Sequence, residues 1–352
     1  QAESVQDLIN YSGGDIDITD SAANLISAGD HILNVTGVDV VTVNDGATSA
    51  NDGAILAGFT ADVEFDVVDN AAGLIAEMGG ADVAGQLTEA NSITVDDGQG
   101  GQVVNAGDGA ILAGFTADVA FDVTDNANAV AAEVTGSNGA GDLDEVNTLI
   151  VSGGDVDTSE AGAIQAISGY DGSASDYEIT DNAAAVIGAG PSVIENDGVT
   201  RVEVTNDATA LEGVSLNNYS ANVDFDVSDT AEAIADNSGN LGKAEEVFVV
   251  SDGDAVDVAE AQAIQGLAGY QTGASEYEID DTAAALISAG DGVLANGNIN
   301  VDVTDGAVNA NDGAMLASFT ADIDFDVSDT AASLAAQVAS GVASGYGADS
   351  LD

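Results

Sequence analysis

Carboxylates are the one abundant reactive group in this chain, 63 Asp and Glu against two basic residues and a single histidine. One set clusters where turns are expected: Asp96-Asp97-Gly98, Asp155-Val156-Asp157 followed by Glu160, and Asp252-Gly253-Asp254 followed by Asp257 and Glu260. Asp45 with Asp52, and Asp305 with Asp312, show a related spacing, and Asp108 occupies the Asp52 position of the next unit. A second set alternates along apolar segments: Asp66, Asp122, Glu178, Asp226, Glu278 and Asp326. Calcium takes six to eight oxygens from carboxylates, carbonyls and water in a tolerant geometry, and Asp-x-Asp beside a glycine turn supplies such oxygens. The residues expected as metal ligands are therefore Asp45, Asp52, Asp66, Asp97, Asp108, Asp122, Asp155, Asp157, Glu160, Asp226, Asp252, Asp254, Asp257, Glu260, Asp305, Asp312 and Asp326. None of these segments matches the twelve-residue EF-hand loop. An equally simple reading of the strand set is a solvated acidic face, as in proteins adapted to high salt.

A third set closes a recurring segment just before Ser, Thr or Asn and small residues: Asp20, Asp69, Asp125, Asp181, Asp229, Asp281 and Asp329. Asp in that context is expected as a helix N-cap, accepting backbone N–H bonds at the positive end of the helix. Other chemistry is poorly supplied. With no cysteine and only His31, soft or imidazole-rich zinc and copper sites are not expected. Nucleophile–base pairs and anion clamps are equally scarce, so an enzyme is not expected. A carboxylate pair about 5–9.5 Å apart could cleave glycosides, but these acids recur by repeat instead of marking one cleft.

The elements that hold the acids are legible from internal repetition. DIDITD-SAANL, VEFDVVD-NAAGL, VAFDVTD-NANAV, YEITD-NAAAV, VDFDVSD-TAEAI, YEIDD-TAAAL and IDFDVSD-TAASL are seven copies of one strand–helix motif. Between them lies a second motif: a strand such as VVTVND, SITVDD, VEVTND or VDVTD, then a short helix ending in an aromatic. Those aromatics are Phe59, Phe115, Tyr170, Tyr219, Tyr270 and Phe319, with SVQDLINY ending at Tyr11 in the same slot. Each strand alternates, so that Val63, Phe65 and Val67 face one side and Asp62, Glu64 and Asp66 the other. The helices place Ala54, Ile55, Ala57 and Gly58 towards the sheet, small enough for close approach. Strands joined by helices are normally parallel and their crossovers right-handed.

The expected fold is therefore α/β, a right-handed solenoid of parallel strand–helix coils, about 25 residues per coil and seven double-coil repeats. The array spans residues 1–337, with units near 12–61, 62–117, 118–173, 174–221, 222–273, 274–321 and 322–337, and a Gly/Ala/Ser-rich end segment, 338–352. Paired rings (Phe59 with Phe65, Phe115 with Phe121, Tyr170 with Tyr177) would fill a thin interior, leaving Phe248 and Tyr346 outside the pattern. Whether the two strand types share one sheet stays open. The opening helix and the closing GADSLD suggest a piece of a longer array, or open ends that stack on another copy.

Charge narrows the partners. The net charge is −61, with 45% apolar residues. Such a chain can build a core but must spread or neutralise its charge. Nucleic acid is excluded because phosphate binding needs Lys and Arg, and an anionic membrane surface is disfavoured for the same reason. No apolar run approaches a membrane span, and no signal peptide is visible; Gln1 fits a mature N-terminus after cleavage or simply the point where this sequence begins. The segments around Lys243 (Asn240–Glu246) and Arg201 (Pro191–Arg201) depart from the repeat and read as local charge neutralisers.

The VSDTAEAI and IDDTAAAL segments resemble repeats of very large bacterial surface and type I-secreted proteins, in which V-S-D-T-A-A-N-L-like units alternate with acidic V-T-V-x-D-G strands. The resemblance covers about residues 4–337. It implies an extracellular adhesin, surface layer or matrix component, often calcium-loaded. The glycine-rich nonapeptide of calcium-binding β-rolls is missing, so no β-roll secretion signal is implied. The function expected is an extracellular structural protein that self-assembles into a filament, sheet or surface layer, with calcium and further copies of itself as partners. A calcium-binding adhesin stalk is the alternative, and a polysaccharide-degrading solenoid a more distant one.

Overall fold

A computed structural model describes residues 16–34, 37–78, 86–96, 102–114, 118–136, 143–251 and 253–339. The chain forms two compact units, Gln1–Ile179 with Asn196–Thr200, and Thr180–Glu195 with Arg201–Asp352. The opening SVQDLINY with Tyr11, Phe115, Tyr346 and the closing GADSLD lie outside the described residues.

In both units the class is α/β, every described strand pair is parallel, and the two strand types alternate in the same ladder. In the first unit Ile16–Asp20 pairs with Val38–Val43, and Val41 then faces Val63. Asp66–Asp69 pairs with Ser92–Val95, Ile93 faces Val119, and Asp122–Asp125 pairs with Thr148–Val156. In the second, Val202 faces Val223, Val227 faces Val247, Val256 faces Ile279, Ile279 faces Val301, and Val301 faces Ile323. Paired residues of neighbouring described strands are 19 (Val103 to Asp122) to 26 (Ile93 to Val119) residues apart. The ladder breaks into several short sheets where a strand turns from one neighbour to the next. Phe65, Phe121 and Phe225 sit at such breaks, their carbonyls accepting from Asn91, Asn147 and Glu245 of the following coil.

Alternation decides what is buried. Val41, Val67, Val123, Leu149, Ile179, Val202, Val227, Ile279 and Val301 all lie inside, as do the strand rings Phe65, Phe121, Tyr177, Phe225 and Tyr277. The loop rings Phe59, Tyr170, Tyr270 and Phe319 are half-buried. The helices cover this apolar face. Their contact stripe differs from the expected one: Ala50, Gly53, Ala54 and Leu56 are buried, while Ile55 and its counterpart Ile111 point outward. Gly53 explains the rotation, because a Cβ there would meet Val67 Cγ2 at 2.8 Å. The glycine brings helix and strand into direct contact.

The closing aspartates correct another expectation. The N-cap is the next residue, as at Ser21, Asn126, Asn182, Thr230 and Thr282. The aspartate instead bridges two coils. Asp69 accepts from Asn70 N (2.8 Å) and from Ala50 N (3.0 Å), the first helical residue of the preceding coil. Asp125 does so with Asn126 and Ala106, Asp229 with Thr230 and Ala210, Asp281 with Thr282 and Val258, and Asp329 with Thr330 and Ala310. Helix starts leave N–H groups without intrahelical partners, so each of these five strand ends caps the helix of the coil before it.

A second clamp follows the first-type helices. Gly29, Gly190 and Gly290 turn the chain at φ 77°, 75° and 74°, where a side chain is disfavoured. Short helices Asp30–Leu33, Pro191–Ile194 and Asp291–Leu294 follow. Asp291 accepts from Thr320 N (2.6 Å), Thr320 Oγ1 (2.6 Å) and Ala321 N (3.2 Å), and Asp30 holds Thr60 and Ala61 in the same way. In the middle copy proline takes that helical position, and Glu195 at the other end holds Ser220 through N and Oγ.

Candidate metal centre

Because both strand types share the ladder, outward acids on successive strands become neighbours. On Glu276–Asp281 the buried Tyr277 and Ile279 force Glu278 and Asp280 to the opposite face. On Asn298–Val303 the buried Ile299 and Val301 do the same for Asn300 and Asp302. Glu278 then faces Asn300, Asp280 faces Asp302, and Asp302 faces Asp324. Neighbouring strands run about 4.8 Å apart. One carboxylate oxygen from each of Glu278, Asp280 and Asp302 lies within 4.8 Å of the other two.

These groups are uncomfortable together. Asp280 Oδ1 is sealed from solvent and has no hydrogen-bond partner. Partial burial, then the charge of Asp302, hold the Asp280 carboxyl above its ordinary value. Glu278 is also raised, first by a hydrogen bond with the Asp302 carboxyl and then by burial. Raised carboxyl values mean that gathering these charges costs free energy. A cation removes the cost. Three hard oxygens with no nitrogen or sulfur donor suit a magnesium-, calcium- or manganese-class ion, with water and carbonyls completing the shell. The triad could hold a metal ion; nothing in the donor set singles out calcium.

None of the ligands expected from sequence belongs to this triad, although Glu278 belongs to the expected strand row. Asp45 and Asp305 cap the helices at Ala22 and Ala283 (3.0 and 3.1 Å). Asp157 with Glu160, and Asp257 with Glu260, form reciprocal capping boxes. Asp108 and Asp312 accept from Asn105 and Asn309 Nδ2 (2.8 and 2.6 Å), and Asp52 from Asn51 (3.4 Å). Asp66 accepts from Ser92 Oγ (2.6 Å), and Asp226 from Glu246 N (3.0 Å). Asp122 faces Thr148 in register, Asp155 faces Glu178, Asp254 precedes the strand at Ala255, and the Asp326 carbonyl accepts from Val308 N. Asp97 and Asp252 lie outside the described residues. His31 is exposed on its short helix.

Asp280 and Asp302 are not expected ligands because the signal is split. Glu278-Ile279-Asp280 and Asp302 stand on different strands, and only pairing of the two strand types joins them. The doubled acid in YEIDD, where the other copy reads YEITD, is the one local trace.

What fold and site define is an acidic α/β repeat protein with parallel strands and, on the sheet face opposite its helices, an oxygen-only triad that could hold a metal ion. No protein-family model matches the chain, and no curated protein matches its sequence. Among the described residues no helix is long and apolar enough to cross a membrane.

Proposed function

We propose that this chain is an extracellular structural protein whose units are right-handed solenoids of strand–helix coils, stabilised by calcium and self-assembling into a filament, sheet or surface layer. The observation that carries this reading is the coil-by-coil parallel register, which stacks outward carboxylates until three of them meet at Glu278, Asp280 and Asp302. Calcium is the favoured ion because it accepts irregular all-oxygen shells and, unlike magnesium, gives up its water readily. Two features support assembly. Repeat proteins bury surface only against neighbouring coils, so further copies extend the same contacts. Ile55, Ile111 and Met315 also expose an apolar side chain at one repeated helix position. The resemblance to secreted bacterial surface repeats points to the same compartment.

The test is thermal unfolding and electron microscopy of chelator-treated protein before and after calcium. Calcium should raise the melting temperature and promote regular polymers. A melting temperature indifferent to millimolar calcium removes the calcium reading, and an exclusively monomeric protein under all conditions removes the assembly reading.

A further inference from the structure

A cation partner for an acidic row of this kind is already built into the chain two double coils earlier. The segments DYEITD and EYEIDD are the same strand in the fourth and sixth copies of the repeat, and TRVEV and INVDV are the strands that follow. Val202 faces Val223 and Glu203 faces Asp224; two repeats on, Val301 faces Ile323 and Asp302 faces Asp324. The buried valines fix the alignment, so Glu203 corresponds to Asp302, Asp224 to Asp324 and Arg201 to Asn300. In the earlier copy Arg201 Nε donates to Asp224 Oδ2 (2.5 Å), and Nη1 to Glu203 Oε2 (2.9 Å). The later copy has no base in this place and gains an acid, Asp280, where the earlier one has Thr180.

We propose that Arg201 is a built-in substitute for a divalent cation, and that the equivalent row at Glu278, Asp280 and Asp302 takes the ion itself. This inference rests on the cation-stabilised reading given above and assigns that cation one place. Charge supports it: from the earlier row to the later one a guanidinium is lost at Asn300 and a carboxylate gained at Asp280, a difference of two charges, which one divalent ion restores. The sealed, partnerless Asp280 Oδ1 supplies a second, independent sign, since a buried acceptor with no donor stands ready for a ligand. Arg delivers its donors in a planar fork suited to two carboxylates, whereas three carboxylates converging within 4.8 Å suit a spherical ion.

The experiment exchanges the two solutions. Full-length wild-type, Asn300→Arg, Arg201→Asn and Asp280→Asn proteins are stripped with chelator, checked by circular dichroism, and titrated with calcium chloride in a calorimeter at about 0.15 M salt, where diffuse ion binding is screened. Wild type should show one event tighter than the background. Asn300→Arg should weaken it at least tenfold, and Asp280→Asn, which keeps the shape and needs no new side-chain volume, should weaken it likewise. Arg201→Asn should leave it intact and place a new calcium requirement on stability. Unchanged tight binding in both Asn300→Arg and Asp280→Asn overturns the assignment, even where calcium still raises the melting temperature of every variant. A wild type indifferent to calcium overturns the underlying reading as well.

Discussion

The rows around Arg201 and around Glu278 occupy one backbone frame with two electrostatic solutions. Both run along paired parallel strands, inward valine or isoleucine against inward valine or isoleucine, outward acid against outward acid. At the first, a guanidinium bridges Glu203 and Asp224, and that contact with its charge raises the arginine further above its ordinary value. At the second, the acids meet one another and two of them are pushed up. The corresponding outward row in the first unit holds Thr42 against Glu64, with a long hydrogen bond of 3.5 Å between them and little charge to neutralise. The frame is thus indifferent to what it displays. Apolar alternation and the strand-end caps build it, and the outward positions vary from neutral to ion-paired to crowded acids.

The largest effect should come from breaking the frame itself. Ile279 is fully buried and stands between Glu278 and Asp280. Ile279→Ala should cost about 2–5 kcal/mol of stability through lost burial and a cavity, and should loosen the carboxylate geometry with it. Denaturant unfolding checks the first and calcium titration the second. A loss below about 1 kcal/mol would mean that the strand is held by something other than its inward side chains.

Next in size is the coil bridge in the Arg201 region. Asp229 accepts from Thr230 N and Ala210 N, both at 2.8 Å, serving helices of two coils. Asp229→Ala should cost roughly 1–2 kcal/mol, the upper part of the range for a helix cap. Asp229→Asn should retain much of that, since one oxygen can still accept. Equal losses in the two variants, measured by denaturant unfolding, would show charge and not hydrogen bonding to be the operative term.

Removing charge should then separate the two rows. Asp302→Asn takes one carboxylate from the triad and should raise the melting temperature in chelator while abolishing its response to calcium. Glu203→Gln, the corresponding change beside Arg201, should lower it slightly or leave it unaltered, because a surface pair contributes about 0–1 kcal/mol. Opposite signs in chelator sharpen the comparison; the same sign in both erases it.

Much of this frame is readable in the sequence, because two-residue alternation and a repeat of about fifty residues are local signals. Val63, Phe65 and Val67 against Asp62, Glu64 and Asp66 is one such case. Two things are not readable. Helix rotation depends on where a missing Cβ allows contact, as at Gly53, and so Ile55 points outward although its apolarity suggests the core. The triad depends on which strand lies beside which, and the carboxylates at Asp157 with Glu160, or Asp257 with Glu260, resemble ligands while serving as caps. A carboxylate at a helix start and a carboxylate at a cation site look alike in one dimension, and only neighbouring-strand register tells them apart.

The smallest effect concerns the acid clamps, where the two regions reach one end by different residues. Asp291 is held below the usual carboxyl range, first by the Thr320 hydroxyl and then by the Thr320 and Ala321 amides. Glu195 is lowered by the Ser220 amide, then its hydroxyl, with a contribution from the charge of Lys243. A group depressed in the folded state adds stability that is fully present above its unfolded value and is lost as pH falls through the folded one. Both clamps therefore weaken only in acid, from about pH 5 downward. Asp291→Asn should behave nearly as wild type at neutral pH, since its side-chain oxygen can still accept from Thr320 N and Ala321 N. Its melting temperature should fall less steeply with acid. Glu195→Gln should flatten the curve from its own side, and the double variant by the sum of the two, because the clamps share no partner. Melting curves between about pH 5 and pH 2 decide it: an acid slope identical in all four proteins would show that neither carboxylate is a clamp in solution.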